Sequence, residues 1–286
     1  MKKIKYILST SGKFHYFEIA RVLYERQQLS KIITGYPWFK LRNEKIPKEF
    51  VKSFGLYQII NYFLHRTPFL NKSEFINTID CFNKDKIDDS TLKYINNTDV
   101  LISSVQSGVK AGKKIKQINK IYACDQSSAH ILFEDNLIND EFNSLNLKRK
   151  IILDNRIKEK ALEEYSESDY ILVPSNYVKS TFDIDYQSKI FVNNFGINTE
   201  NFYPIENFKK KNDFFDIVYI GGVSIRKGIH YLVDAFNKLN YSKKRLHLIG
   251  DHISADKDFL KKKIIQENII IYGHINHLKL NKILNN

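Results

Sequence analysis

The chain has 286 residues, 43% of them hydrophobic and 27% charged, and a formal net charge of +13. This length allows one large domain or two ordinary ones, and the composition excludes a disordered chain. Two cysteines are too few for a disulfide framework and indicate a reducing compartment, so we expect a cytoplasmic protein. The positive charge favours an acidic partner: a nucleotide diphosphate, an anionic lipid or a nucleic acid.

The chain begins with a segment that has only a superficial likeness to a signal peptide. Its apolar part is about five residues long and is interrupted by Lys5, which is too short for the apolar region of such a peptide. We therefore predict a first strand at Ile4–Leu8. One face of the following helix is formed by Tyr16, Ile19, Ala20, Leu23 and Tyr24. No run reaches the ~20 apolar residues of a membrane span.

The loop after the first strand contains Gly12 and Lys13, which invites comparison with a P-loop. That motif requires a glycine where Ile7 stands and a serine or threonine where Phe14 stands, so the sequence excludes it. The dinucleotide fingerprint G-x-G-x-x-G is absent as well. A second strand is predicted at Lys31–Thr34.

Residues 36–72 differ in character from the rest of the chain. Their aromatic side chains are interspersed among seven basic and two acidic residues. Such a stretch suits an anionic membrane surface, single-stranded nucleic acid, or a helical insert that packs its rings on the domain. The aromatic residues concerned are Trp38, Phe39, Phe50, Phe54, Tyr57, Tyr62, Phe63 and Phe69.

Two further strands lead to a polar cluster. They are predicted at Val100–Ser103 and Ile121–Cys124, separated by a lysine-rich helix at Lys110–Lys120. The second strand runs into ACDQSSAH at its carboxyl end, where ligands gather in open α/β sheets. A lone histidine in such a cluster can equally be a structural residue. Candidates for contacting a substrate hydroxyl are Asp125, Ser127, Ser128 and His130.

The segment before residue 205 has the pattern of a chain that leaves its first domain. A helix at Asn155–Tyr165, a strand at Tyr170–Val173 and a helix opening at Pro174 and Ser175 precede a strand at Ile190–Asn193. FGINTENFYP follows, with a turn glycine, a capping side chain and an anchored aromatic ring, which is a combination suited to a hinge.

The stretch DIVYIGGVSIRKGIHYLVDAFNKL predicts an anion site. Its apolar run Ile217–Ile220 is typical of a parallel strand buried on both faces. The pair Gly221-Gly222 ends this strand, and Arg226 and Lys227 precede an amphipathic helix that begins near Ile229. Backbone N–H groups and the helix dipole then point at a ligand that the two cations neutralise. The alternative is a surface turn with two solvated cations.

The last part of the chain continues the α/β pattern. Strands are predicted at Arg245–Gly250 and Ile269–Gly273, with a lysine-rich helix between them. A metal site built on His252, His274 and His277 is not expected, because no carboxylate or cysteine joins them in a ligand motif.

Two blocks of this sequence resemble one protein family. GGVSIRKGIHYLVDAF is similar to the donor-phosphate loop of the retaining glycosyltransferases of family 4, which have the GT-B fold. SDYILVPSNYVKSTF and FGINTENFYP resemble the segments by which the same family leaves its first domain. The matching exit residues are Gly196, Asn198, Phe202 and Pro204. One departure is that Gly222 occupies a position where many members have arginine, a charge that Arg226 is placed to supply.

The resemblance implies roles for individual residues. Lys227 and Arg226 are implied to contact the diphosphate of a nucleotide-sugar, with Gly221 and Gly222 in the same loop. Gly12 and Lys13 are implied to face the cleft between two domains, and His130 to line the reaction centre. Gly250 and Gly273 are implied to approach the ribose and base of the nucleotide. No metal or other cofactor is expected, because the nucleotide-sugar is a substrate.

These observations predict an α/β protein of GT-B type with two Rossmann-like domains, residues 1–205 on the acceptor side and residues 206–286 on the donor side. Because residues 206–286 hold about three strand–helix units, we expect an incomplete second domain and a chain that cannot turn over as given. The expected activity is transfer of a hexose to a glycan or lipid-linked acceptor with retention, in cell-surface polysaccharide synthesis. The alternative is a non-catalytic basic module of the same fold that binds a nucleotide-sugar, a membrane or nucleic acid.

Overall fold

A computed structural model describes residues 3–56, 59–60, 73–149, 152–196, 199, 202–205, 213–251, 257–264, 266–275 and 277–285. Strands and helices alternate along this part of the chain, as predicted, and the fold is α/β. The chain forms two compact units, one of residues 1–137 with 151–196 and one of residues 138–150 with 197–286. The sequence predicted a border after residue 205, whereas the second unit begins at residue 197 and also takes in residues 138–150.

The first unit is built on a seven-stranded parallel sheet. Its strands are β1 Tyr6–Thr10, β2 Leu29–Thr34, β3 Val51–Ser53, β4 Val100–Ser104, β5 Ile121–Asp125, β6 Tyr170–Val173 and β7 Ile190–Val192. Their order across the sheet is β3-β2-β1-β4-β5-β6-β7. The helices are α1 Tyr16–Glu25, α2 Ser73–Leu92, α3 Val109–Gln117, α4 Ile131–Ser144, α5 Asn155–Glu167 and α6 Asn176–Ser180, of which α4 crosses the border between the units.

Alternating side chains of the sheet pack into two hydrophobic clusters, one on each face. Ile7 of β1 belongs to a cluster with residues of α2, α3 and α5. The next residue, Leu8, packs in a second cluster with Tyr16 and Phe17 of α1. This division follows from the two-residue period of a strand, and it explains why β1 reads as a continuous apolar run.

Two buried acidic side chains, Glu164 and Asp88, hold the loop between β4 and α3. Oε1 of Glu164 accepts a hydrogen bond of 2.6 Å from the Gly108 N–H, and Oε2 accepts one from the Gln106 N–H. The carboxylate of Asp88 accepts from the N–H groups of Lys110 and Ala111 at 2.8 and 2.9 Å. Burial raises the pKa of the Glu164 carboxyl from 4.5 to about 8. The loop and the start of α3 therefore depend on acidic side chains from α2 and α5.

The second unit contains a three-stranded parallel sheet of β8 Phe215–Ile220, β9 Lys244–Ile249 and β10 Ile269–Gly273, in the order β10-β9-β8. Its further helices are α7 Ile229–Lys238, α8 Lys257–Lys263 and α9 His277–Leu284. Leu246 and Leu248 of β9 pack against Val233 and Phe236 of α7 and Leu260 of α8. Among the helices that the structure describes, none combines the length and apolar character that a bilayer crossing requires.

The burial of Glu164 makes a prediction about stability and pH. The unfolded chain loses this proton near pH 4.5, whereas the folded chain keeps it up to about pH 8, so unfolding releases a proton between these values. The contribution of Glu164 to the free energy of unfolding therefore falls as pH rises through this window, whereas the lowered pKa of His130 acts in the opposite direction below pH 6.5. In Glu164→Gln the fall is smaller by up to about 1.4 kcal/mol per pH unit, measured by urea unfolding at a series of pH values.

The matched control is Glu163→Gln. Glu163 is the neighbouring, exposed carboxylate and pairs with Lys113 at 2.5 Å. Because solvent screens an exposed pair, its substitution changes the free energy of unfolding by less than about 1 kcal/mol. An unaltered slope in Glu164→Gln would contradict the assignment.

Candidate functional site

The loop Gly221–Gly228 connects strand β8 to helix α7 at the carboxyl edge of the small sheet. Gly221 has φ +152° and Gly228 has φ +69°, values that side-chain-bearing residues rarely adopt. The hydroxyl of Tyr219 donates to the carbonyl of Gly222 at 3.0 Å, which ties the first turn of the loop to the strand. The sequence prediction of a strand, a glycine turn and a helix beginning at Ile229 is confirmed. The prediction that this strand is buried on both faces is wrong, because its residues are half-buried or exposed.

Neighbouring strand ends approach this loop closely. A Cβ placed on Gly250 would lie 1.8 Å from the carbonyl oxygen of Gly221. The Gly221 N–H donates to Ile249 O and the Gly250 N–H donates to Gly273 O, both at 2.9 Å. The predicted glycines 221, 250 and 273 therefore meet at one edge of the sheet.

Two cations and a helix end stand together in the same loop. Arg226 and Lys227 are exposed and precede the first residue of α7. No side chain among the described residues caps that helix, and the Ile229 N–H donates to the Ser224 carbonyl at 3.4 Å. The N–H groups of His230 and Tyr231 are therefore the ones suited to an external anion. Ser224, directly before the turn, is fully buried, and its Oγ has no hydrogen-bond partner among the described residues.

Helix α7 is anchored within its own unit. Nε2 of His230 lies 2.6 Å from Oε1 of Glu141, and the Tyr231 hydroxyl donates to Oε2 of the same carboxylate at 2.9 Å. Glu141 belongs to the part of α4 that the second unit contains. The first turn of α7 is thereby held, so its backbone N–H groups keep their direction without a ligand.

The first unit carries a separate polar pair at the carboxyl edge of its sheet. Nε2 of His15 lies 2.8 Å from Oδ2 of Asp125, the last residue of β5. Asp125 is 4% exposed, and the His15 side chain is 16% exposed. Burial raises the pKa of Tyr16 well above its usual value, and the negative charge of Asp125 adds to this effect.

The two side chains lie at ion-pair distance, but Oδ2 of Asp125 has no hydrogen-bond partner among the described residues. Their position at the carboxyl edge of the sheet makes both candidates for contact with a substrate hydroxyl. The sequence prediction included Asp125 but missed His15. The available signal was its position, three residues after Gly12 in the loop that follows β1.

The loop residues Gly12 and Lys13 have local partners. Nζ of Lys13 lies 2.5 Å from Oε1 of Glu44, which compensates its charge. The Gly12 carbonyl accepts hydrogen bonds of 3.2 Å from the hydroxyls of Thr10 and Thr34. Gly12 thus shapes the loop through its backbone, while Lys13 forms an ion pair at its side.

His130, predicted at the reaction centre, is buried among aromatic rings. Its ring centroid lies 5.0 Å from that of Tyr165 and 4.9 Å from that of Phe182. Burial lowers the pKa of His130, and its Nε2 has no hydrogen-bond partner within the described part of the chain. The histidine that contacts Asp125 is His15, and a catalytic role for His130 stays a prediction.

The aromatic and basic stretch 36–72 is described only in part. Tyr36, Trp38 and Phe50 pack against the cluster around Leu8, as the packing alternative predicts, whereas Phe39 is 56% exposed. Residues 57–58 and 61–72, with Tyr57, Tyr62, Phe63 and Phe69, lie outside the described residues, as do Asn198 and His252. Membrane docking by this stretch stays a prediction. Over the residues that are described, no group of three His, Cys, Asp or Glu side chains is placed to hold a metal ion.

The contact between the strand ends predicts a strong effect of Gly250→Ala. The new Cβ would overlap with the Gly221 carbonyl, and φ at Gly250 is +148°. We expect the free energy of unfolding to fall by more than about 2 kcal/mol in a urea titration. Gly196→Ala is the control, because a Cβ there meets nothing within 4 Å. Equal stability of the two variants would contradict the close approach.

Comparison with known proteins gives one distant relative in sequence. No family model matches the chain. Over 187 residues it is 27% identical to an uncharacterised glycosyltransferase of Methanocaldococcus jannaschii, a match that covers 63% of this chain and 48% of the relative. The chain thus spans about half the length of the curated relative that it matches.

Comparison with solved structures shows the fold. The Anabaena protein HepE, solved in complex with UDP and glucose, superposes with a TM-score of 0.59 at 14% identity, over 96% of this chain and 70% of that one. A Listeria monocytogenes protein assigned as a UDP-N-acetylglucosamine 2-epimerase superposes with a TM-score of 0.51 at 11% identity, over 98% and 72% of the two chains. The chain therefore has a GT-B-like α/β fold with two parallel sheets, the second of them small.

Proposed function

We propose that this chain belongs to a glycosyltransferase that binds a nucleotide-sugar and moves its hexose to a glycan or lipid-linked acceptor with retention. The observation that carries the proposal is the loop Gly221–Gly228, where two exposed cations stand before an uncapped helix end. The distant glycosyltransferase relative and the fold shared with HepE, whose structure holds UDP and glucose, support it. The family resemblance of the sequence adds cell-surface polysaccharide synthesis as the setting.

The donor diphosphate is assigned to the start of α7. Its negative charge would meet the N–H groups of the first helical turn together with Lys227 and Arg226. During transfer the bond from the anomeric carbon to the diphosphate oxygen breaks, and its electron pair leaves with the nucleoside diphosphate. The same cations and N–H groups stabilise that growing charge, which is a role that a metal ion fills in other sites.

The proton of the acceptor hydroxyl goes to the leaving group. In the retaining route that the family resemblance implies, the acceptor oxygen attacks the face from which the diphosphate departs, and a phosphate oxygen takes the proton. We propose this route, which requires no protein nucleophile.

The diphosphate assignment predicts a loss of nucleotide affinity in Lys227→Ala. Removing one charge-assisted hydrogen bond should weaken UDP binding roughly 10- to 100-fold, measured by isothermal titration calorimetry at fixed salt. Arg226→Ala should cost less alone, and the two losses should not add, because both cations address one group.

Lys238→Ala is the matched control, since Lys238 is an exposed lysine at the opposite end of the same helix. Unchanged UDP affinity in the Lys227→Ala, Arg226→Ala double variant would refute the diphosphate site.

The proposed route predicts the configuration of the product. In an extended protein that contains these residues, with UDP-glucose and a glycoside acceptor, proton NMR should show a product whose anomeric configuration is unchanged. An inverted product would contradict the retaining route. The same spectra would also reveal a UDP-sugar that is epimerised without being transferred. That result would contradict the proposed transferase activity.

A further inference from the structure

One acidic side chain from another helix contacts the first turn of α7. Oε1 of Glu141 lies 2.6 Å from Nε2 of His230, and Oε2 accepts a hydrogen bond of 2.9 Å from the Tyr231 hydroxyl. Glu141 lies in α4 and precedes these residues by 89 and 90 positions. A single carboxylate therefore ties two successive residues of α7 to a helix that is distant in the sequence.

The two residues that Glu141 contacts are also those whose backbone N–H groups suit an anion. The Gly228 N–H donates to the Ile225 carbonyl at 2.8 Å, and the Ile229 N–H to the Ser224 carbonyl at 3.4 Å. The N–H groups that follow belong to the residues of the Glu141 contact. Their direction at the start of the helix therefore depends on how firmly these two residues are held.

The start of α7 depends on contacts from outside the helix. Its N-cap is Gly228, which has φ +69° and no side chain to cap the turn. Glycine also restrains the backbone less than any other residue. Ile229 is fully buried, which fixes the first residue of the helix, and the Glu141 contacts fix the next two.

The later turns of α7 are held by other residues. Asp234 pairs with Lys263 of α8 at 2.6 Å. Nζ of Lys244 donates to the Phe236 carbonyl near the end of the helix at 2.6 Å, and Phe236 packs in the core of the second unit. Loss of the Glu141 contacts should therefore loosen the first turn and leave the rest of the helix in place.

The Glu141 carboxylate acts on a bound anion in two opposite ways. Its negative charge repels a diphosphate, whereas its contacts keep two N–H groups directed at the ligand. The Tyr231 hydroxyl and the His230 ring both face the carboxylate and share its charge. We therefore expect the orienting effect to outweigh the repulsion.

We propose that Glu141 is a positioning residue of the donor site, which fixes the N–H groups of His230 and Tyr231 in the direction that the diphosphate requires. The inference rests on the proposed function, because it concerns how the same site holds its nucleotide. Glu141 acts through α7 and not by touching the nucleotide, so it is not a catalytic residue.

The test measures the UDP affinity of the full chain by isothermal titration calorimetry at fixed salt. Glu141→Ala removes both contacts and should raise the Kd at least tenfold, whereas Glu141→Gln keeps an acceptor oxygen and should stay within about threefold of the wild type. Tyr231→Phe removes one hydrogen bond at a residue that is 59% exposed, so it folds, and should raise the Kd roughly threefold. Asp234→Asn is the matched control, because it alters a contact in the second turn of the same helix and should leave the Kd unchanged.

A double-mutant cycle with Lys227→Ala separates positioning from a general loss of stability. If Tyr231 and Lys227 serve one diphosphate, the loss in the double variant should be smaller than the product of the two single losses. Independent effects on stability would multiply. If UDP binds the wild type but binds Tyr231→Phe and Glu141→Ala equally well, or if the losses multiply, the positioning role is refuted and the donor site stands. If UDP does not bind the wild type, the proposed function itself is refuted.

Discussion

In the second unit, the ends of β8 and β9 lie so close together that position 250 has no room for a side chain. The carbonyl of Gly221 occupies the space that a Cβ of Gly250 would need. Because parallel strands all end at the same edge of a sheet, this approach brings the loops after β8 and β9 together. The turn at Gly228 and the start of α7 lie in the loop that follows β8. The proposed donor site therefore depends on backbone placement as well as on the two cations.

Charge is distributed differently at the two sheet edges. At the small sheet, Arg226 and Lys227 are exposed next to the N-terminus of α7, which is the positive end of the helix dipole. This arrangement favours an anion. At the large sheet, Lys13 and His15 lie next to the carboxylates of Glu44 and Asp125. We assign the proposed diphosphate to the first edge because a helix end and two cations lie there. The net charge of +13 alone does not distinguish the two edges.

A part of the structure could be predicted when the residues that form it lie close together in the sequence. The loop Gly221–Gly228 and the strands around it were predictable, since glycine turns, cations and apolar runs lie within one short stretch. Helix α2 was missed because its buried side includes Asn83, Asp88 and Thr91, which hides the helical period. His15 was missed because its partner is 110 residues away (125 − 15), a pairing that only the parallel register of the sheet creates.

The central claim is that a nucleoside diphosphate binds at the start of α7, and selective labelling tests it most directly. The chain has 11 glycines, so ¹⁵N-glycine labelling gives a spectrum in which each backbone N–H can be assigned. On titration with UDP, the signals of Gly221, Gly222 and Gly228 should shift together along one saturation curve, while Gly108 and Gly112 in the first unit stay in place. The account would be contradicted if saturating UDP left the signals of Gly221, Gly222 and Gly228 in place. It would also be contradicted if UDP shifted only the signals of glycines in the first unit.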